Sequence, residues 1–376
     1  MPYTIVPVMS PKELEIFLHV PWKIYIQNGK KDPNWVPPFL DDYRSILNPK
    51  KNPFFEHAKV QNFILMDEQK SAVGRISGII DDLHNQVHNE KTGWFGFFEC
   101  PDDFQAANLL FKTVETWVKE QGMQILRGPA SPSLNDEVAF LLEGYDSPPK
   151  ITMTYNPPYY HQLAEKNGLT KIKDLYAWYL KASTEIPERI SRIAAYVMKK
   201  ENITVRSLDM KHFDRDTAYL KDIYNKAWEK NWGFVPMTDK EFEYAAKKFK
   251  PIAWPDFIQF AEVNGKPIAC NIVLPDVNQA LIHMNGELNL SGLIKFLWYS
   301  RKINDTRMIA MGVLPEYRKK GVDAIMYLEA LKTGKKRNVL GGELSWTLED
   351  NHLINDGIKA MGGTIYKKYR IYQKLI

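Results

Sequence analysis

Residues 312–326 read GVLPEYRKKGVDAIM, with Arg318 and Gly321 spaced R-x-x-G at the start of a predicted helix. Helix N-termini carry free N–H groups and the positive end of the helix dipole. A strand that delivers the chain into a glycine-containing turn there forms a cradle for an anion. Gly321 removes a side chain where a phosphate must approach backbone, while Arg318, Lys319 and Lys320 offset its charge. The same residues also suit an ordinary basic turn in which Gly321 eases helix packing, and the spacing alone leaves both readings open. A second group, Asn135, Asp136 and Glu137, lies in the long connection SPSLNDEVAFLLEGYDSPPK. It could hold a cationic amine or form a capped turn. Tyr159, Tyr160, Trp232 and Trp254 are candidates for the wall of a substrate cleft, or for core filling.

Several chemistries are excluded. His84 and His88 have His-x-x-x-His spacing but lie in a polar, loop-like stretch without a third ligand, so no metal is expected. GxSxG and the Walker glycine loop are absent. Cys100 and Cys270 are far apart and in no CxxC, which predicts neither a disulfide nor a zinc site and fits a reducing cytoplasm. The net charge of +5 comes from 50 basic and 45 acidic residues spread along the chain, which argues against a nucleic-acid surface. No basic and apolar leader opens the chain, and no run approaches the roughly 18 apolar residues of a membrane span. The expectation is a cytoplasmic protein with no membrane span.

The secondary structure that holds these residues is read from punctuation and periodicity. A length of 376 residues with 44% apolar and 25% charged side chains supports two globular domains. In the first half, Ser10, Pro11 and Glu13 predict a capped helix, VQNFILMD and KSAVGRISGIID a hairpin, and WFGFFE a strand. DDFQAANLLFKTVETWVKEQG has the helical spacing of Phe104, Ala107, Leu110, Phe111, Val114 and Trp117 or Val118, and MQILRGP comes next as a strand. The second half, from about residue 184, repeats this order, with Asn264-Gly265 turning a hairpin. QALIHMN is read as an extra strand and LSGLIKFLWYSRKI as an apolar helix. RMIAMGVL, the basic turn, a helix, VLGGELSW, a second helix and TIYKKYRIY complete the chain. Helix, glycine and tyrosine-rich strand recur around Gly168 and Gly362, about half the chain apart, as diverged copies would. The expected fold class is α/β with a mixed α+β sheet, in domains 1–183 and 184–376.

The series of strand, R-x-x-G turn, helix, strand and Asn351-led helix resembles the acyl-CoA-binding half of GNAT-superfamily acyltransferases, whose pattern is R/Q-x-x-G-x-G/A. VGRISGIID, GFFE, LRGPASPSLNDE, YNPPYY and EDNHLINDGIKAMGGTIYKKYRIY extend the resemblance to bacterial tandem-GNAT N-acetyltransferases, over nearly the whole chain. It implies that the C-terminal domain binds acetyl-CoA or another acyl-CoA through Met311, Gly312, Val313, Arg318, Lys319, Lys320, Gly321, Val322, Asp323, Ala324 and Asn351. The N-terminal domain is then a degenerate copy, because its equivalent turn, ECPDDFQAAN, has neither R-x-x-G nor basic charge. Two departures stand out. Asp323 occupies the place of the second small residue, and Ile358 replaces the tyrosine that ordinarily protonates the thiolate.

The chemistry that this resemblance implies is direct attack of an amine on the thioester, which needs a base, a polarised carbonyl and an acid for the departing sulfur. Backbone from Met311 to Val313 would polarise the carbonyl. TRMIAMGVL lacks an acid, so Glu343 and Glu287 are the candidate bases, with Tyr366 or Tyr369 as the acid. The implied activity moves an acetyl or short acyl group to a small-molecule or peptide amine. Two alternatives stand beside it: a Fem-type transferase using aminoacyl-tRNA, and a non-catalytic acyl-CoA sensor or scaffold.

Overall fold

The computed structural model describes residues 2–376 and divides into two compact units. One comprises Met1–Leu175, Ala280–Leu297 and Lys367–Ile376, the other Tyr176–Gln279 and Trp298–Tyr366. The fold is mixed α/β, as expected.

The first unit runs β1 (Tyr3–Pro7), α1 (Pro11–Tyr25), β2 (Ala58–Asp67), β3 (Ala72–Asp81), β4 (Thr92–Glu99), α2 (Phe104–Glu120), β5 (Ile125–Gly128), β6 (Ala130–Ser131), β7 (Glu137–Val138), β8 (Phe140–Glu143), α3 (Tyr160–Lys166) and the start of β9 (Thr170–Lys181). α1 starts where the capping box predicts: Ser10 Oγ accepts from the Glu13 N–H at 3.3 Å, and the Glu13 carboxylate accepts from the Ser10 N–H at 2.8 Å. β1 to β4 form an antiparallel meander, and β5 joins β4 in parallel. α2 lays Ala107, Leu110, Phe111, Val114 and Val118 on this sheet, where all five are fully buried. That stripe is the amphipathic face legible in the sequence from Ala107 onward, whereas Phe104 at its start is 45% exposed.

The second unit runs α4 (Glu188–Lys200), β10 (Ile203–Ser207), α5 (Phe213–Trp228), α6 (Asp239–Phe249), β11 (Ile258–Val263) and β12 (Lys266–Pro275). After α7 (Leu290–Ser300), of which Leu290–Leu297 belong to the first unit, come β13 (Asp305–Val313), α8 (Val322–Lys336), β14 (Gly341–Leu348), α9 (His352–Ala360) and β15 (Thr364–Leu375), whose last residues also belong to the first unit. β10 to β13 are again an antiparallel meander, and β14 is again parallel to its predecessor. The β11–β12 turn places Asn264 at φ 51° and Gly265 at φ 73°, the left-handed pair that Asn-Gly supplies cheaply.

Two local expectations fail. QALIHMN is not a strand: Asn278–Leu281 is one helical turn, continued by bonds from the His283 and Met284 N–H groups to the Ala280 and Leu281 carbonyls. A short apolar run without strict alternation does not distinguish the two conformations. HNQVH is not a loop but part of a helix, Asp82–His88, because Asp81 Oδ1 accepts from the His84 N–H at 3.1 Å and caps it.

Candidate active site

The parallel pair in the second unit is short. Asp305–Met308 of β13 pair with Gly341–Leu344 of β14, and the ladder stops there. On the other side of β13 the register with β12 slips between Ile272 and Val273, which leaves Ile309 as an extra residue. A bulge of this kind bends its strand and re-aims the residues beyond it. Past Ile309, among the described residues, β13 has ladder partners on β12 alone. Its other edge, from Ile309 to Val313, is therefore open to pair with an extended ligand. Gly312 is required here by packing, since a Cβ would sit 2.7 Å from the Trp228 ring and 2.9 Å from Ala227 Cβ on α5.

β13 then delivers the chain through a 3₁₀ turn, Pro315–Tyr317, to the basic stretch. Lys319 at φ 59° and Gly321 at φ 82° both take left-handed conformations before α8 begins at Val322. Gly321 serves packing as well, because a Cβ would press on Ile193 and Val197 of α4 at 3.2 and 3.3 Å. No side chain caps α8, so its first N–H groups are available to an anion. Lys319 and Lys320 are exposed beside them. Arg318 faces another way: its guanidinium donates to the Ala227 carbonyl at 2.7 Å and to the Val313 carbonyl at 3.3 Å, holding the C-terminus of α5. Asp323 is exposed in the first turn of α8. Burial, and then the Asp323 charge, push the Tyr327 phenol up. Val322 is buried and Ala324 partly so.

A buried polar group closes the narrow end of the pair. Glu343 on β14 is 0% exposed and stands in register with Arg307 on β13, Nε to carboxylate 3.3 Å. Tyr366 and Ser345 both donate their hydroxyls to the Glu343 carboxylate. Arg307 also donates to Ser345 Oγ at 2.7 Å, and Tyr179 donates to Asp305 at 3.1 Å nearby on β13. A largely apolar cavity of about 50 Å³ lies under α8, with Val273, Thr306, Met308, Tyr327, Leu331 and Leu344 around it and Glu343 at its border. Strand alternation puts the Glu343 carboxylate on the other face of the sheet, with Arg307 and Ser345.

The structure thus brings together Glu343 and Tyr366 in one contact. It also sets Met311, Gly312 and Val313 on the strand that leads to Lys319, Lys320 and Gly321. Asn351 caps α9, accepting from the Ile354 N–H at 3.4 Å. Glu287 lies exposed in a loop of the first unit, and Tyr369 is fully buried in that unit. Asn135, Asp136 and Glu137 belong to the first unit too. Asp136 accepts from Ser133 Oγ at 2.6 Å and Glu137 from the Tyr43 hydroxyl at 2.7 Å. Tyr160 is fully buried there, donating to Glu99 at 2.7 Å, while Tyr159 donates to the Cys100 carbonyl. Trp232 is half-buried after α5 in the second unit.

Sequence reasoning missed Arg307, Ser345 and Asn355. Asn355 on α9 is buried, accepts from Thr347 Oγ1 at 2.7 Å and donates to the Leu348 carbonyl at 2.9 Å. A signal for the first existed. An arginine opening the apolar run RMIAMGVL must be paired if buried, and the neighbouring parallel strand offers one carboxylate, Glu343.

Comparison with known proteins adds identity to this geometry. No family model matches the chain. The Bacterial ceramide synthase of Caulobacter vibrioides is 33% identical over 380 residues, covering 99% of this chain and 97% of its own. Protein YghO of Escherichia coli is 33% identical over 375 residues, covering 98% and 94%. Among solved structures, the GCN5-related glucosamine N-acetyltransferase region of a fungal multi-domain GH3 β-N-acetylglucosaminidase has a TM-score of 0.59 at 16% identity, over 99% of this chain and 38% of that one. A tandem GNAT protein from the clavulanic acid biosynthesis pathway has a TM-score of 0.56 at 11% identity, over 99% and 98%.

Proposed function

This chain belongs to the family of Bacterial ceramide synthase and Protein YghO and has the tandem GNAT acyltransferase fold, and we propose that it joins a long acyl chain from acyl-CoA to the amino group of a long-chain amino alcohol. A ceramide is such an amide, so the name of the first relative supports both the acceptor class and a chain longer than acetyl. The observation that carries the reading is the parallel pair that opens after Met308, with Glu343 and Tyr366 at its closed end, and a largely apolar cavity bordering the same pair under α8.

In this reading the pantetheine lies along the open edge of β13, and the first N–H groups of α8 with Lys319 and Lys320 hold the pyrophosphate. Backbone N–H groups between Met311 and Val313 polarise the thioester carbonyl and take the oxyanion of the tetrahedral intermediate. Glu343 takes the proton that the amine must lose. Tyr366 gives its proton to the departing CoA sulfur and regains one from Glu343 through their hydrogen bond. The C–N bond forms, the C–S bond breaks, and the acceptor proton ends on the thiol. The apolar cavity takes the proximal part of the acyl chain. The proposed units of duplication remain 1–183 and 184–376, in the cytoplasm.

Thiol release from acyl-CoA, measured with a long-chain amino alcohol, tests the assignment. Glu343→Gln should lower kcat about 10²- to 10⁴-fold while calorimetric binding of acyl-CoA persists. A rate within about twofold of the unmodified chain would remove Glu343 from the chemistry. One observation favours a second, non-catalytic reading: the Glu343 carboxylate already contacts Arg307, Ser345 and Tyr366, as a structural lock would. Acyl-CoA binding without thiol release over a range of amines supports that reading instead.

A further inference from the structure

The spacing i, i+3, i+4, i+7, i+8 ordinarily marks the face of a helix that packs into a core. On α7 those positions are Leu290, Leu293, Ile294, Leu297 and Trp298. All five are exposed, Leu290 at 77%, Ile294 at 61% and Trp298 at 58%. The buried position of this helix is Gly292, on the opposite side of the wheel. Its N–H is taken by Asn289 Oδ1 at 2.9 Å, and a Cβ there would meet the Glu287 carbonyl. The helix therefore rests on its smallest residue and turns its apolar stripe to solvent. Leu288, just before it, is 47% exposed and continues the patch.

Charge decides what such a stripe fits. Between residues 288 and 304 the chain carries Lys295, Arg301 and Lys302 and no carboxylate. Lys302 Nζ lies 5.0 Å from the Trp298 ring and 5.5 Å from the Tyr299 ring, so cation and aromatics cluster at the C-terminal end. Leucine and isoleucine flanked by Trp, Tyr and basic residues are what a helix lying in a membrane interface carries. At 11 residues α7 is far too short to span a bilayer, and no helix among the described residues is long and apolar enough to cross one. We propose that α7 docks this protein on an anionic phospholipid membrane, its leucine, isoleucine and tryptophan stripe entering the headgroup–acyl boundary and Lys295, Arg301 and Lys302 meeting lipid phosphates. Docking on lipid needs neither acyl-CoA nor turnover, so it stands or falls separately from the proposed acyl transfer.

Vesicle flotation of the full chain tests it, with phosphatidylcholine alone and with about 30% phosphatidylglycerol added. The unmodified chain should float with the anionic vesicles, less so as salt rises. Ile294→Ser with Trp298→Ser should weaken this about tenfold, and Lys295→Glu with Lys302→Glu should abolish the preference for anionic lipid. These side chains are exposed, so the unfolding midpoint should not move. If that pair unfolds early, Leu290→Ser replaces it. Three results would overturn the proposal. They are an unmodified chain that floats with neither vesicle, an apolar double variant that floats as well as the unmodified chain, and sedimentation showing that the stripe holds a dimer that the variant dissolves.

Discussion

Both units end an antiparallel meander in a parallel strand pair that parts after three or four residues, but only the second leaves the gap open. In the first unit, β4 and β5 pair from Thr92 to Trp94, and the chain then returns across the gap as β6. The Ala130 carbonyl sits where a Cβ on Gly96 would go, Ser131 Oγ accepts from the Phe97 N–H at 2.9 Å, and Phe95 crowds Gly128. The next helices differ as sharply. α2 is capped by Asp103, which accepts from the Gln105 and Ala106 N–H groups at 2.7 and 3.2 Å, so its positive end is already neutralised. α8 has a glycine there, no side-chain cap and two exposed lysines. One architecture thus supports a ligand site or a plain core, and a few residues at the gap and the helix start decide which.

The first unit also seals charge inside. Burial pushes the Glu99 carboxyl up to about 7, against the lowering effect of Arg75, whose NH2 group is 3.6 Å away. The cluster continues through Tyr160 and Tyr25. Arg75 packs over the Phe17 and Phe97 rings. A site built this way holds its own shape and has no place for a phosphate.

The harshest way to break the comparison is Gly96→Ala. A methyl against the Ala130 carbonyl forces backbone to move, and denaturant unfolding should show a loss of about 3 kcal/mol or more. A loss under about 1 kcal/mol would mean that the first gap is not filled as described. Next is the pH dependence of the sealed acid. Glu99 has its folded pKa raised, so its contribution to stability is present below about 4.5 and is lost as pH rises through about 7. His84 acts in the opposite sense: burial lowers it from 6.5 to about 4, so stability is lost as pH falls through that interval. The difference between the unmodified chain and Glu99→Gln isolates the first effect and should change by about 3 kcal/mol between pH 4.5 and 7. A difference flat in pH would show that Glu99 is ionised throughout.

Smaller changes sharpen the second unit. Arg318→Ala removes a charged donor from the C-terminus of α5 and should cost about 1.5 kcal/mol of stability with little change in acyl-CoA affinity. Lys319→Glu with Lys320→Glu should do the reverse, weakening acyl-CoA in calorimetry while leaving unfolding unmoved. Equal effects on affinity would return Arg318 to the cradle. The least change is expected from Asn351→Ala, about 1 kcal/mol from the lost cap of α9, with binding unaltered.

Much of this was written in local sequence. Capping at Ser10, the Asn264-Gly265 turn, the stripe of α2 and the order of strands and helices all rest on neighbours within a few residues, so composition and period determine them. The R-x-x-G turn and its glycine were legible for the same reason. Tertiary structure decided which way Arg318 points, because its shorter bond, at 2.7 Å, is to the Ala227 carbonyl on α5, some ninety positions earlier in the chain, beside the local one to Val313 at 3.3 Å. It also decided that Glu343 meets Tyr366 and Arg307, and that the stripe of α7 faces solvent. The period of a helix says that it has an apolar face. What that face meets depends on the packing of distant segments, and no local pattern encodes it.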